Sequence, residues 1–227
     1  MPSRHESVNS DHILLLDLDG TIVTSTFRAF EAKAEVLREV SQLAPTNGLS
    51  VRHHIRDYFL FADSLPDTVR EEARSKISEI ITKYELESVS RSTLKPGAAD
   101  VLSYFRECMP VCVVSNSGRE AVDETLRRFG LEASFDLVLS RDDVPDLKPS
   151  PAGILLALNK FKRKPEAAAM VGDTPMDVIA ASAANVTSVA IADGVASIND
   201  LTKEWPDFLT RDLIETKALL TRLWRLS

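Results

Sequence analysis

The chain has 227 residues, of which 44% are hydrophobic and 27% are charged, which predicts one large globular domain or a core domain with a smaller insert. The 34 acidic residues outnumber the 27 basic ones and give a formal charge of −7. We therefore expect no nucleic-acid partner, because a phosphate backbone needs a basic protein surface. A small anionic substrate stays compatible with this charge, since it needs only a local cationic pocket.

The sequence also bears on membranes and on the cellular compartment. No apolar run approaches the roughly 18 residues of a membrane-spanning helix, so we expect no membrane partner. The segment Met1–Asp11 is polar, unlike a signal peptide. The two cysteines, Cys108 and Cys112, have a spacing that fits no zinc signature. These features favour a cytoplasmic protein. The sequence shows no coiled-coil heptads, and a monomer and a small homo-oligomer both stay open.

Short, continuous apolar runs of the kind typical of buried parallel strands recur along the chain. They are Ile13–Leu16, Val111–Val114, Leu137–Leu139, Ala168–Val171 and Ser188–Ile191. Helical periodicity separates the later runs, and this alternation predicts βαβ units and a parallel sheet. Ser150 followed by Pro151 indicates the start of a helix. Gly130 and Asn185 indicate helix ends in the left-handed conformation.

The segment between Thr24 and about Thr93 breaks this alternation. Its apolar residues repeat at helical spacing, as in Phe30, Ala34 and Leu37, and none of its runs is typical of a strand. The Pro96–Gly97 pair then marks the return to the α/β pattern. We therefore predict a core formed by residues 1–23 and 94–227, with an all-helical insert over residues 24–93.

Two aspartates follow the first predicted strand directly, in the run Asp17–Thr21. An Asp-x-Asp pair is a weak signal by itself. Here it lies at the carboxyl end of an apolar strand, where open α/β sheets bind their ligands. A calcium-binding loop is excluded, because Ile22 stands where that loop needs glycine and Arg28 stands where it needs a bidentate glutamate.

A second acidic cluster, Gly172–Asp177, follows the fourth apolar run. In a parallel sheet Asp173 emerges at the same edge as Asp17, and carboxylates that converge there repel each other unless a cation lies between them. Hard oxygen ligands and a phosphate substrate favour magnesium as that cation. Asp177 has two interpretations that stay open, a role in the active site or a capping box with Thr174 that begins a helix.

Two further strand ends carry candidate phosphate ligands. Ser115 and Asn116 follow the second apolar run, where a hydroxyl, an amide and a helix N-terminus together can bind phosphoryl oxygens. For Ser117 we favour a helix N-cap, completed by Glu120. Lys148 precedes a proline and therefore lies in a loop, from which its ammonium group can neutralise a phosphate and a nucleophile.

Taken in the order in which they occur along the chain, these four elements resemble the haloacid dehalogenase superfamily. The resemblance is closest to its phosphoglycolate phosphatase and β-phosphoglucomutase-like branch. The resemblance runs from about Ile13 to Ile191. It implies a Rossmann-like parallel-sheet core with a helical cap domain inserted after the first motif. It also implies a magnesium-dependent phosphatase that acts on a small phosphorylated metabolite through an aspartyl-phosphate intermediate.

The resemblance further implies a role for each motif residue. Asp17 would be the nucleophile and Asp19 the general acid/base. Mg²⁺ would be held by Asp17, by the backbone carbonyl of Asp19 and by Asp173. The phosphoryl group would be held by Ser115, Asn116 and Lys148, and the site would be supported by Asp177 and Thr21.

Two alternatives to a phosphatase stay open. The first is a mutase of the β-phosphoglucomutase type, which usually carries a histidine early in the cap and Glu-Asp in the last motif. This chain has no histidine between His12 and His53, and it has Gly172 before Asp173, which favours a phosphatase. The second is a non-catalytic binding protein on the same fold, which the intact acidic and lysine motifs disfavour. Arg52 or Arg56 of the insert is a candidate for selecting an acidic substrate.

Overall fold

The computed structural model describes residues 11–46 and 48–226. The polar N-terminal segment considered above lies almost wholly outside these ranges. The chain divides into two compact units: the described residues up to Ser25 and from Ser92 onward form the first, and Thr26–Arg91 form the second. In the described part of the chain, no helix is both long and apolar enough to cross a membrane.

The first unit is built on a six-stranded sheet in which every neighbouring pair of strands is parallel. The strands are β1 (Ile13–Leu16), β2 (Val111–Val114), β3 (Leu137–Leu139), β4 (Ala168–Gly172), β5 (Thr187–Ile191) and β6 (Phe208–Thr210). Their spatial order is β3-β2-β1-β4-β5-β6. Five of these strands were predicted. The sixth was missed, because only two of its three residues, Phe208 and Leu209, are apolar, which is too short an apolar run to recognise.

The apolar strands are continuous because the sheet is buried on both faces. In β1, Leu14 and Leu16 pack into one hydrophobic cluster, whereas Ile13 and Leu15 pack into another. Alternate side chains of a strand point to opposite faces, so both sets must be apolar. All four side chains are fully buried. This packing is the usual reason for unbroken apolar runs in parallel sheets.

The second unit contains three helices among its described residues. They are α1 (Ala29–Val40), α2 (Ile55–Asp63) and α3 (Asp67–Arg91). They share a small core to which Val36, Tyr58 and Ile77 contribute, and the Tyr58 hydroxyl donates to the carbonyl of Ser50 at 2.9 Å. The parallel-sheet core and the all-helical insert together confirm the predicted fold class.

Helices connect and cover the strands of the first unit. They are α4 (Ala98–Cys108), α5 (Arg119–Phe129), α6 (Ala152–Phe161), α7 (Pro175–Ala183), α8 (Ile198–Lys203) and α9 (Leu213–Leu223). Gly130 ends α5 with φ 65° and Asn185 follows α7 with φ 56°, so both predicted left-handed positions are confirmed. Helix α6 begins at Ala152, one residue later than predicted, and the Ala152 amide donates to the Ser150 hydroxyl at 3.3 Å.

Candidate active site

The strand order brings the predicted motifs together at one edge of the sheet. Strand β1 lies between β2 and β4, and all three run in the same direction. The residues that follow their carboxyl ends are Asp17 after β1, Ser115 after β2 and Asp173 after β4. All three side chains are buried. The arrangement is the crevice at which open α/β sheets bind ligands.

Lys148 joins two of the acidic residues. Its ammonium nitrogen lies 2.6 Å from Oδ1 of Asp17 and 2.6 Å from Oδ1 of Asp177. The lysine is only 5% exposed, so both ion pairs are shielded from water and are stronger than surface pairs of the same length. Burial by itself would lower the pKa of Lys148, but the charges of Asp17 and Asp177 outweigh burial and raise that pKa above its ordinary value.

Asn116 fixes the backbone of this lysine. Its Nδ2 donates to the carbonyl of Lys148 at 2.9 Å, and its Oδ1 accepts the Lys148 amide at 2.9 Å. The Asn116 side chain therefore binds both the backbone N–H and the backbone carbonyl of Lys148. This contact was not predicted, and it gives Asn116 a way to position Lys148. Direct phosphate binding by Asn116 stays a prediction.

Ser115 and Ser117 lie at the end of β2. The hydroxyl oxygen of Ser115 accepts the Ser117 amide at 3.0 Å, which leaves the hydroxyl proton of Ser115 available to a ligand. The N-cap prediction for Ser117 is wrong, because Gly118 is the N-cap of α5. Instead, the Ser117 hydroxyl donates to Oδ2 of Asp19 at 2.8 Å, and the sequence pattern gave no indication of that contact.

Asp19 is half-buried at the same edge. Burial raises the pKa of this carboxyl group, while the hydrogen bond from Ser117 and the charge of Lys148 oppose the rise. A carboxyl group with a raised pKa holds a proton more readily near neutral pH than a solvated one does. Asp19 therefore has the properties of a proton donor and acceptor.

Both carboxylate oxygens of Asp173 are fixed by hydrogen bonds. The Thr21 hydroxyl donates to Oδ1 at 2.9 Å, and the backbone amide of Val195 donates to Oδ2 at 2.7 Å. Two glycines allow this close fit. A Cβ atom on Gly20 would lie 2.2 Å from Oδ2 of Asp173, and one on Gly194 would lie 2.0 Å from its Cβ. Any side chain at either glycine would displace the aspartate.

Asp177 makes the capping contacts with Thr174 that the sequence pattern indicated, and it also contacts Lys148. Its Oδ2 accepts the Thr174 amide at 3.0 Å and the Thr174 hydroxyl at 2.6 Å, which are contacts at the N-terminus of α7. Its Oδ1 binds Lys148. A Cβ atom on Gly172 would lie 2.2 Å from Cγ of Asp177, so the absence of a side chain at residue 172 makes room for this carboxylate.

The clustered carboxylates at this edge are ligands that fit a divalent cation. Carboxylate oxygens of Asp17, Asp173 and Asp177 lie within 4.8 Å of one another. Burial raises the pKa of Asp17 well above its ordinary range and that of Asp173 to about 6, and the neighbouring carboxylates add to both rises. Clustered buried carboxylates of this kind are stabilised in the charged form by a hard cation, which prefers oxygen ligands.

Four residues make contacts at this edge that the sequence patterns did not predict. Gly194 and Val195 contact Asp173, Ser117 contacts Asp19, and the Lys95 ammonium contacts the carbonyl of Gly20 at 2.7 Å. Only a glycine next to an acidic loop residue, as in the Asp193–Gly194 pair, offered a weak signal of a tight backbone approach.

Comparison with known proteins agrees with this geometry. A family model for haloacid dehalogenase-like hydrolases matches residues 12–185. The chain is 30% identical to a phosphoglycolate phosphatase of Nitrosococcus oceani, over 92% of this chain and 96% of that protein. It is 29% identical to a putative pyrophosphatase PpaX of Caldanaerobacter subterraneus, over 88% of this chain and 90% of that protein.

Solved structures show the same fold at lower sequence identity. A hydrolase from Pseudomonas syringae aligns with a TM-score of 0.69 at 22% identity, covering 95% of this chain and 99% of that one. A predicted phosphoglycolate phosphatase from Haemophilus somnus aligns with a TM-score of 0.67 at 21% identity, covering 93% and 99%. The chain therefore belongs to the haloacid dehalogenase-like hydrolase family, in its phosphoglycolate phosphatase-like branch, and is an enzyme of the phosphoric monoester hydrolase type.

Proposed function

We propose that this enzyme is a magnesium-dependent phosphatase that hydrolyses a small phosphorylated metabolite through an aspartyl-phosphate on Asp17. The observation that carries the proposal is the buried Lys148 ammonium, which lies 2.6 Å from both Asp17 and Asp177. It places a fixed positive charge beside a carboxylate that would otherwise repel a phosphate dianion.

In this proposal Asp17 attacks the phosphorus atom with a carboxylate oxygen, and the bond from phosphorus to the ester oxygen breaks. A covalent intermediate divides a very slow reaction into two easier steps. Lys148 keeps Asp17 ionised before the attack. During the attack it stabilises the negative charge of the phosphoryl group. Asp177 and Asn116 hold the lysine at its ammonium group and at its backbone.

Asp19 is the proposed general acid/base. It protonates the leaving oxygen in the first step and then accepts a proton from the water that cleaves the aspartyl-phosphate. Ser117 orients this carboxyl group through its hydroxyl. The Ser115 hydroxyl and the Asn116 amide are the proposed donors to the phosphoryl oxygens, together with Lys148.

The residues proposed to hold Mg²⁺ are Asp17 and Asp173 through their side chains and Asp19 through its carbonyl. Asp177 is proposed as a supporting residue, which binds Lys148 through Oδ1 and Thr174 through Oδ2. When bound, Mg²⁺ would supply Lewis-acid stabilisation of negative charge on the phosphoryl oxygens.

The proposed substrate is a small phosphoglycolate-like or sugar-phosphate-like ester. Related proteins are named phosphoglycolate phosphatase and pyrophosphatase PpaX, so phosphoglycolate and pyrophosphate belong in the test set. The side chain of Asp177 occupies the space beside Gly172 that a larger residue would need. The Glu-Asp pair associated with the mutases would therefore not fit here without displacing Asp177, which favours a phosphatase.

The test is phosphate release from phosphoglycolate, sugar phosphates, pyrophosphate and p-nitrophenyl phosphate, with Mg²⁺ and after its removal by EDTA. We expect release that requires Mg²⁺ and is abolished in Asp17→Asn. The matched control is Asp100→Asn, which changes an aspartate whose side chain is 72% exposed in a surface ion pair and should leave the rate unchanged.

Two outcomes would contradict the proposal. A folded Asp17→Asn variant that retains the wild-type rate would exclude Asp17 as the nucleophile. Conversion of one sugar phosphate into its isomer without phosphate release would favour a mutase.

Exchange of Arg52 or Arg56 for alanine in the same assay tests whether either arginine selects acidic substrates. Unchanged relative rates across the panel would exclude that role.

A further inference from the structure

Lys95 is a second buried lysine in the first unit. It is only 6% exposed, and it follows Leu94, which forms a β-bridge with Val23. Its backbone amide donates to the carbonyl of Ile22 at 3.0 Å. These contacts hold the residue alongside the loop that carries Asp17 and Asp19.

The ammonium group of Lys95 makes three hydrogen bonds. It donates to the carbonyl of Gly20 at 2.7 Å, to the carbonyl of Asp193 at 3.0 Å and to Oδ1 of Asp193 at 2.6 Å. An ammonium has three protons, so these acceptors match its full donor capacity. The residue thereby connects two loops that lie far apart in sequence.

These are the same two loops that hold Asp173. Gly20 precedes Thr21, whose hydroxyl binds Oδ1 of Asp173. Asp193 lies two residues before Val195, whose amide binds Oδ2. Each loop therefore binds one carboxylate oxygen of Asp173. Lys95 binds both loops without a hydrogen bond to that carboxylate.

The fit around Asp173 leaves little tolerance for movement of either loop. Gly20 and Gly194 approach the aspartate so closely that a Cβ atom at either position would overlap it. Removing the Lys95 ammonium would leave the carbonyl of Gly20 without this donor and would leave the Asp193 carboxylate without its cation. Both losses favour a displacement of the loops toward water.

We propose that Lys95 is a positioning residue of the metal centre, which orients Asp173 by clamping the loops around Gly20 and Asp193. This role rests on the proposed function, in which Asp173 is a ligand of Mg²⁺. Among the described residues, the Lys95 ammonium makes no hydrogen bond to Asp17 or Asp173. It acts on Asp173 through the two loops, and its charge also lowers the pKa of that carboxyl group.

The experiment is titration of the metal-free protein with Mg²⁺ alone, followed by calorimetry, for wild type, Lys95→Met and Lys217→Met. Methionine replaces the apolar stem of lysine at nearly the same length but has no hydrogen-bond donor. Lys217 is the control because it binds Asp100 at the surface, with 25% of its side chain exposed. We expect Lys95→Met to weaken Mg²⁺ binding by about 10-fold or more and Lys217→Met to leave it unchanged.

A second readout separates positioning from a general loss of structure. Lys95→Met should recover phosphate release at saturating Mg²⁺, and its far-UV circular dichroism should match that of the wild type. If that variant does not fold, Asp193→Ala replaces it, because it removes one of the three acceptors and leaves both carbonyls; it should weaken Mg²⁺ binding in the same direction.

The outcomes that contradict the two proposals differ. A folded Lys95→Met protein with wild-type affinity for Mg²⁺ would overturn the positioning role and leave the proposed function intact. The same conclusion would follow from an unchanged affinity in Asp193→Ala if Lys95→Met does not fold. A wild-type protein that binds no Mg²⁺ would overturn the metal centre itself, and the role of Lys95 with it.

Discussion

The ammonium nitrogen of Lys148 lies 2.6 Å from Oδ1 of Asp17, although the two residues are 131 positions apart in the chain. The same nitrogen binds Asp177 at the same distance. Lys148 is thus the buried cation that balances two of three clustered carboxylates, and its charge opposes the rise in the pKa of Asp17 that burial causes.

Replacement of Lys148 by methionine should reduce phosphate release by about 10²- to 10³-fold, the usual cost of removing one group that stabilises charge in a transition state. The pKa of Asp17 should rise further, since the opposing charge is lost. The measurement is steady-state phosphate release at saturating Mg²⁺. Lys160→Met, at an exposed position of α6, is the control, and a folded Lys148→Met variant with an unchanged rate would exclude this role.

Affinity for Mg²⁺ should depend on the titration of Asp173, whose pKa burial and the charge of Asp177 raise to about 6 in the metal-free protein. A protonated Asp173 cannot serve as a ligand, so affinity should fall as pH drops through about 6, by about 10-fold per unit for one displaced proton. Calorimetric titration between about pH 5 and 8 measures this slope. A flat profile would contradict it.

The same shift predicts how the stability of the metal-free enzyme depends on pH. Because the pKa of Asp173 in the folded state lies above the ordinary value of an aspartate, the folded state binds more protons than the unfolded state between about pH 4 and 6. The contribution of Asp173 to the free energy of unfolding therefore falls as pH rises through that window. Thermal unfolding in EDTA should show this contribution as a difference between the wild type and Asp173→Asn, and a pH-independent difference would be inconsistent with it.

Ser117→Ala should shift the pH dependence of catalysis. The Ser117 hydroxyl donates to Asp19 and opposes the rise in the pKa of that carboxyl group, so its removal should raise the pKa further. The limb of the kcat/KM profile that Asp19 controls should then move to higher pH. Ser103→Ala, at an exposed position of α4, should leave the profile in place. A profile that moves to lower pH would contradict the contact.

Gly172→Ala should impair the enzyme through Asp177. The added Cβ atom would lie 2.2 Å from Cγ of Asp177, and displacement of that carboxylate would release Lys148. A misplacement of about 1 Å at such a site costs about 10²-fold in rate. Gly130→Ala is the control, because its Cβ atom meets nothing within 4 Å. It should lose about 1 kcal/mol of stability from its positive φ and keep its activity. Equal rates for both variants would contradict the role of Gly172.

Much of the fold was readable from the sequence because the sheet is buried on both faces. Continuous apolar runs then mark the strands, and five of six were located in this way. Strand β6 lacks that signal, because Thr210 limits its apolar run to two residues and Leu209 is exposed. The motif residues Asp17, Ser115 and Asp173 were placed correctly at one edge, since parallel strands bring their carboxyl ends together.

The contacts that hold those residues in place were decided only by the tertiary structure. Val195 binds Asp173 through its backbone amide, a group that every residue except proline carries, so no side-chain pattern reveals it. Lys95 reaches Asp193 across 98 positions, and Ser117 reaches Asp19 across 98 positions as well. The sequence determined which chemical groups lie at the edge of the sheet, because the alternation of strands and helices requires parallel strands, whose carboxyl ends lie together. The folded chain decided which of them touch, because hydrogen bonds over such separations depend on how the loops pack.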